Sequence, residues 1–174
     1  MLKLSDAMTN IKVMSLRTGG QIGAAAQMII NPNNLKIEGW YVDDRFSGQR
    51  LILLAGDVRD IIAQGIAIND HEVLSDPDDL IRLKPILEIN FQLVGKYVQS
   101  QNGKRYGKVT DFAVETSSLI IKKIYASKTI VKSLSGGSLS IDRTQIVEIT
   151  NSTIVIEDPT VTDKSPATVP APAA

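Results

Sequence analysis

The chain has 174 residues, with 19 Lys and Arg against 19 Asp and Glu, one histidine and no cysteine. That inventory excludes disulfides, thiolate nucleophiles, cysteine-held zinc or iron–sulfur sites and any multi-histidine metal centre. With 43% hydrophobic and 22% charged residues, and no apolar run near the roughly 18 residues of a membrane span, the body of the chain reads as globular.

There are 22 Ile and 13 Val against 15 Leu. Branching at Cβ suits a pleated surface better than a helix, so an all-β fold is expected. Met1–Asp6 lacks the apolar core and small-residue cleavage site of a signal peptide, which makes a cytoplasmic location the expectation. Lys12–Arg17 forms a strand ending at the glycine turn Thr18-Gly19-Gly20, and Ile22–Ile30 a second. After Asn31-Pro32-Asn33-Asn34, Leu35–Val42 alternates, with Leu35, Ile37, Gly39 and Tyr41 on one face and Lys36, Glu38, Trp40 and Val42 on the other. Leu51–Leu54 is a further strand, Asp57–Ile62 a helical turn or short strand, and Ile66–Ile68 closes the unit.

A polar joint, Ser75-Asp76-Pro77-Asp78-Asp79, leads to the apolar stretch Leu80–Leu93, so two units touching across a short connection are expected. The strands then recur as Lys96–Ser100, Tyr106–Val114, Leu119–Ala126, Thr129–Leu134, Gln145–Ile149 and Thr153–Ile156. An 84-residue shift aligns Asn10–Val42 with Val94–Ala126, matching Lys12/Lys96, Gly19/Gly103, Gly23/Gly107, Leu35/Leu119, Ile37/Ile121 and Tyr41/Tyr125. Asp57–Ile61 then aligns with Asp142–Ile146 and Gly65–Asp70 with Thr153–Asp158, so one β unit is present twice. The organisation expected is 1–77, 78–158 and a Pro/Ala/Thr-rich, disordered tail over 159–174.

Gly107-Lys108-Val109-Thr110-Asp111-Phe112-Ala113-Val114, followed by Leu119-Ile120-Ile121-Lys122-Lys123-Ile124-Tyr125, resembles the PRC-barrel signature. Asp57-Val58-Arg59-Asp60-Ile61 before a short closing strand is similar to the same family, whose barrels occur in the photosynthetic reaction-centre H subunit and a ribosome maturation factor. Copy one departs from the pattern at Gly23-Ala24-Ala25-Ala26-Gln27 and at Ala55, where the family usually has a proline. The resemblance implies two consecutive β-barrels of about six short strands each, serving assembly or docking, with no catalytic residues, cofactor or metal to carry over.

Single residues give little chemistry. His71 has Asp70, Glu72 and Ser75 nearby, but there is no nucleophile elbow, so an exposed histidine at a domain edge is expected. Asp76, Asp78 and Asp79 lack calcium-loop spacing. Gly136-Gly137-Ser138 lacks the lysine of a phosphate loop, and Asn151-Ser152-Thr153 has no secretory context.

Charge distribution says more. Residues 1–80 carry 7 basic and 11 acidic side chains and residues 81–158 carry 11 and 7, so neutrality hides halves of −4 and +4. This predicts weak head-to-tail self-association at low ionic strength. Lys104, Arg105 and Lys108 on one hairpin, with Lys122 and Lys123 on the next strand, either form an ordinary solvated surface or gather into a patch for a partner. Protein is favoured over nucleic acid as that partner, because the excess charge is small and only Tyr97, Tyr106 and Tyr125 offer stacking. Trp40 is read either as an interface anchor or as a residue that caps the barrel or packs against the other domain. The expected function is a non-enzymatic scaffold or adaptor for protein partners, with an RNA- or ribosome-associated factor using the basic second half as the alternative.

Overall fold

The computed structural model describes residues 1–128 and 138–159. The fold is mostly β, with thirteen strands linked by hydrogen-bonded ladders and one short helix among the described residues. In the first half these are β1 (Leu2–Leu4), β2 (Ile11–Ser15), β3 (Gln21–Asn31), β4 (Lys36–Asp44), β5 (Arg50–Leu54), β6 (Val58–Ile62) and β7 (Gly65–Ile68). Helix α1 (Lys84–Ile89) precedes β8 (Tyr97–Ser100), β9 (Arg105–Glu115), β10 (Ile120–Ser127), β11 (Leu139–Asp142), β12 (Ile146–Ile149) and β13 (Thr153–Ile156). The expected strand Thr129–Leu134, Gly136-Gly137 and the tail from Thr160 lie outside the described residues.

The internal repeat is visible as duplicated pairing. The order β5-β4-β3-β2-β7-β6 in the first half matches β11-β10-β9-β8-β13-β12 in the second. In each, one ladder is parallel, β2 with β7 and β8 with β13, and the others are antiparallel. Among the described residues no ladder joins β5 to β6 or β11 to β12.

Even the irregularities repeat. Unpaired extra residues fall at Ile22, Ala26, Glu38 and Arg59 in the first half and at Tyr106, Thr110, Lys122 and Val147 in the second. Each bulge bends its strand and inverts the inside–outside alternation beyond it. Past Glu38 the buried set on β4 therefore becomes Trp40, Val42 and Asp44, in place of the single-phase alternation the sequence suggests.

The ladders also correct the alignment of the copies. Val13 faces Gly23 as Val98 faces Gly107, so β2 and β8 correspond one residue away from the gapless 84-residue register. Lys12 thus matches Tyr97, and its identity with Lys96 is coincidental. The 3-10 turn Arg143–Gln145 stands where Ala55–Asp57 stands in the first half, so Asp142 corresponds to Leu54 and not to Asp57.

The halves meet about an approximate two-fold axis. Leu35 and Leu119 both adopt left-handed backbone, φ 54° and 56°, a conformation that costs an L-residue about 1–2 kcal/mol. Their carbonyls accept reciprocal bonds, Ile121 N to Leu35 O at 2.9 Å and Ile37 N to Leu119 O at 2.8 Å. Both leucine side chains are buried in an apolar cluster that runs through the two halves, and that burial offsets the strain.

Each half also lends the other its leading segment. β1 pairs with Ala113–Glu115 of β9, and Ile86 and Leu87 of α1 lie against Met28–Ile30 of β3. Ser5 anchors the first arm through its N–H and hydroxyl to Asp111. Gln27 Nε2 donates to Asn90 Oδ1 at 3.2 Å beside the second arm.

Candidate functional site

The basic residues on the β8–β9 hairpin are placed by local hydrogen bonding. Ser100 N donates to Lys104 O, and Ser100 Oγ accepts from Lys104 N. Tyr97 and Lys108 are ladder partners, and Lys108 in turn faces Ser127 on β10, which brings Lys128 alongside. Lys108 Nζ lies 4.8 Å from the Tyr97 ring centre and Lys104 Nζ 5.4 Å from that of Tyr106, both cation–π contacts.

Arg105, Lys128, Tyr97, Gln99 and Thr153 line a cavity of about 440 Å³. None of Lys104, Arg105, Lys108 or Lys128 forms an ion pair among the described residues. Lys128 is the member sequence reasoning missed. It lies 20 positions from Lys108 in the chain and joins the group only through the β9–β10 ladder.

Lys122 and Lys123 do not join this group. They sit five and four residues back along β10 from Ser127, about 16 and 13 Å by strand rise. Lys122 Nζ is 3.6 Å from Glu115, and Lys123 faces Asp142 across β11. The five cations that the sequence leaves open between an ordinary solvated surface and one patch therefore separate into a cluster without ion pairs among the described residues and a locally neutralised pair.

Trp40 is fully buried, and its Nε1 donates to Met8 O at 3.1 Å. The interface-anchor reading is corrected accordingly, because the bulge at Glu38 turns this side chain inward.

His71 is part-exposed, and its Nε2 lies 2.9 Å from Oδ1 of Asp44, whose side chain has no exposed surface. Phe46 meets the imidazole edge-on. The neighbouring hydroxyls go to carboxylates and not to the imidazole: Ser47 Oγ donates to Asp44 at 2.5 Å, and Ser15 Oγ to Asp70 at 3.1 Å. This is a turn-locking cluster without the serine–histidine contact a triad requires.

Burial opposes charge on Asp44, yet bonds from the Ser47 hydroxyl and N–H, the Phe46 N–H and His71 together hold its carboxyl below the ordinary value of 3.8. A carboxyl lowered in the fold contributes stability above its unfolded value and loses it as pH falls through the folded value. Asp44→Asn is therefore expected to cost about 1–3 kcal/mol near neutrality. In urea titrations the gap from wild type narrows when pH is taken below 3.8; a gap that does not change with pH refutes a charged Asp44.

Lys96 is buried, and burial lowers its pKa. Its Nζ donates to Thr150 O at 3.0 Å and to Asn151 O, and lies 4.8 Å from the Phe91 ring centre. It helps line a second groove of about 530 Å³ with Ile89, Val94 and Tyr97. Tyr97 is thus a wall common to both hollows.

Asp76 accepts from Asp78 N at 2.9 Å and caps the Pro77–Asp79 turn. Among the described residues no three His, Asp or Glu side chains converge as a metal-ligand set, and no helix is long and apolar enough to cross a membrane. No protein-family model matches the sequence, and no curated protein matches it.

Proposed function

We propose that the chain is a tandem of two PRC-barrel-like modules, over 1–77 and 78–158, acting as a non-enzymatic adaptor that docks protein partners through its barrel surfaces. The support for paired modules is the duplicated strand order with its duplicated bulges.

The observation that carries the docking role is a difference between the copies. The positions of Lys104, Arg105, Lys108 and Lys128 correspond to Gly20, Gln21, Ala24 and Asp44 in the first half. The same pairing scheme is built there without any of these cations, so the fold does not require them. Charges that folding does not need, beside a cavity and without an ion pair among the described residues, are suited to a partner.

Affinity capture from nuclease-treated lysate, with wild type and an Arg105→Glu/Lys128→Glu variant as baits, tests this reading. A protein retained by wild type in stoichiometric amount is the expected result; no retained protein at low salt refutes it. The RNA-associated alternative instead requires affinity for a uridine oligonucleotide that falls steeply with salt.

A further inference from the structure

We propose that the Arg105–Lys128 cavity and the adjoining Ile89–Val94 groove form one docking site for an acidic peptide segment carrying an aliphatic anchor. The inference rests on the adaptor reading and names the chemistry of its partner.

Three observations converge on it. The two hollows, about 440 and 530 Å³, share Tyr97. A ligand that spans this residue reaches both. Among the described residues neither lining contains an Asp or Glu, so a carboxylate in the cavity meets the guanidinium and ammonium there. Arg105 offers the planar fork that binds carboxylate through two parallel bonds.

The second hollow supplies what a purely electrostatic site lacks. Ile89, Val94 and Tyr97 are 55%, 49% and 54% exposed, an apolar cluster beside the basic one. Apolar contact at that groove adds binding that salt does not screen, while the charges fix orientation and speed encounter.

The same geometry favours a peptide over single-stranded nucleic acid. Lys108 and Lys104 already lie over the Tyr97 and Tyr106 rings, occupying faces on which bases would stack.

The test is selection from a random-peptide display library against the full chain, followed by fluorescence-anisotropy titration of synthesised winners. Enriched sequences are expected to pair two or more Asp or Glu with a nearby Leu, Ile or Val. Arg105→Glu/Lys128→Glu should weaken binding about tenfold or more. Ile89→Ser/Val94→Ser should weaken it without altering the salt dependence. Both pairs are exposed, and unchanged urea midpoints show that the variants remain folded.

No enrichment, winners without acidic residues, or binding that survives charge reversal each overturns the proposal. So does a uridine oligonucleotide that binds more tightly than the peptides and is lost in the charge-reversed variant. If that variant still captures the wild-type partner from lysate, the adaptor reading stands and this site is not its surface.

Discussion

Trp40→Ala is expected to destabilise the protein by about 3–5 kcal/mol, the range for emptying a buried aromatic site. For a chain of this size that lowers the melting temperature by roughly 6–20 °C. The indole is fully enclosed, and its N–H holds the Met8 carbonyl. Met8 ends the turn Ser5–Met8, which carries the chain from β1 on the second half back to β2 on the first. Trp40→Phe keeps most of the volume but leaves that carbonyl without its donor, at a cost of about 1–3 kcal/mol. Hydrogen exchange should then quicken in residues 1–9 ahead of the remainder. A surface anchor would behave oppositely, with stability unchanged and partner binding lost.

The contrast shows why the sequence pattern leaves Trp40 open between a surface anchor and a packed residue, and why the ladder decides for packing. Runs of Ile and Val bounded by Gly, Asn and Pro marked β3, β4, β7 and β13 to within two residues, because strand propensity and turn chemistry are local. Facing is not local. Period-two alternation holds only while a ladder is regular, and the bulge at Glu38 reverses it immediately before Trp40. β1 and α1, three and six residues long, are too short to carry a period, and docking on the opposite half holds them in place.

The site was legible to the same extent and for the same reason. Lys104, Arg105 and Lys108 lie within one hairpin, so their proximity follows from the turn. Lys128 needed the β9–β10 register. Lys122 looked equivalent to them by charge, but its bulge position puts it by Glu115. Asn31-Pro32-Asn33-Asn34 marks a turn in the sequence, but the residue there with left-handed backbone is Leu35, where burial against the other half outweighs an asparagine's tolerance for that conformation.

Gly107→Ala is the second large expected effect, and it links stability to the docking site. Gly107 has φ +97°, and a Cβ there would stand 2.1 Å from Ser127 O, 2.4 Å from Ser127 C and 2.6 Å from Lys128 N. All three are backbone atoms, so no rotamer change relieves the overlap. The end of β10 must move, at about 1–3 kcal/mol for overpacking added to about 1–2 kcal/mol for the disfavoured φ. Gly103→Ala separates the two contributions, because Gly103 has φ +79° with nothing within 4 Å of the added carbon and should show the backbone cost alone. Urea midpoints of the two variants should therefore differ, with Gly107→Ala the lower. Because the displaced atoms include Lys128 N, folded Gly107→Ala protein should also bind the acidic peptides more weakly than Gly103→Ala does. Equal stability and equal peptide affinity in the two variants would mean that β10 does not cross Gly107 closely, and Lys128 would then have no fixed place in the cavity.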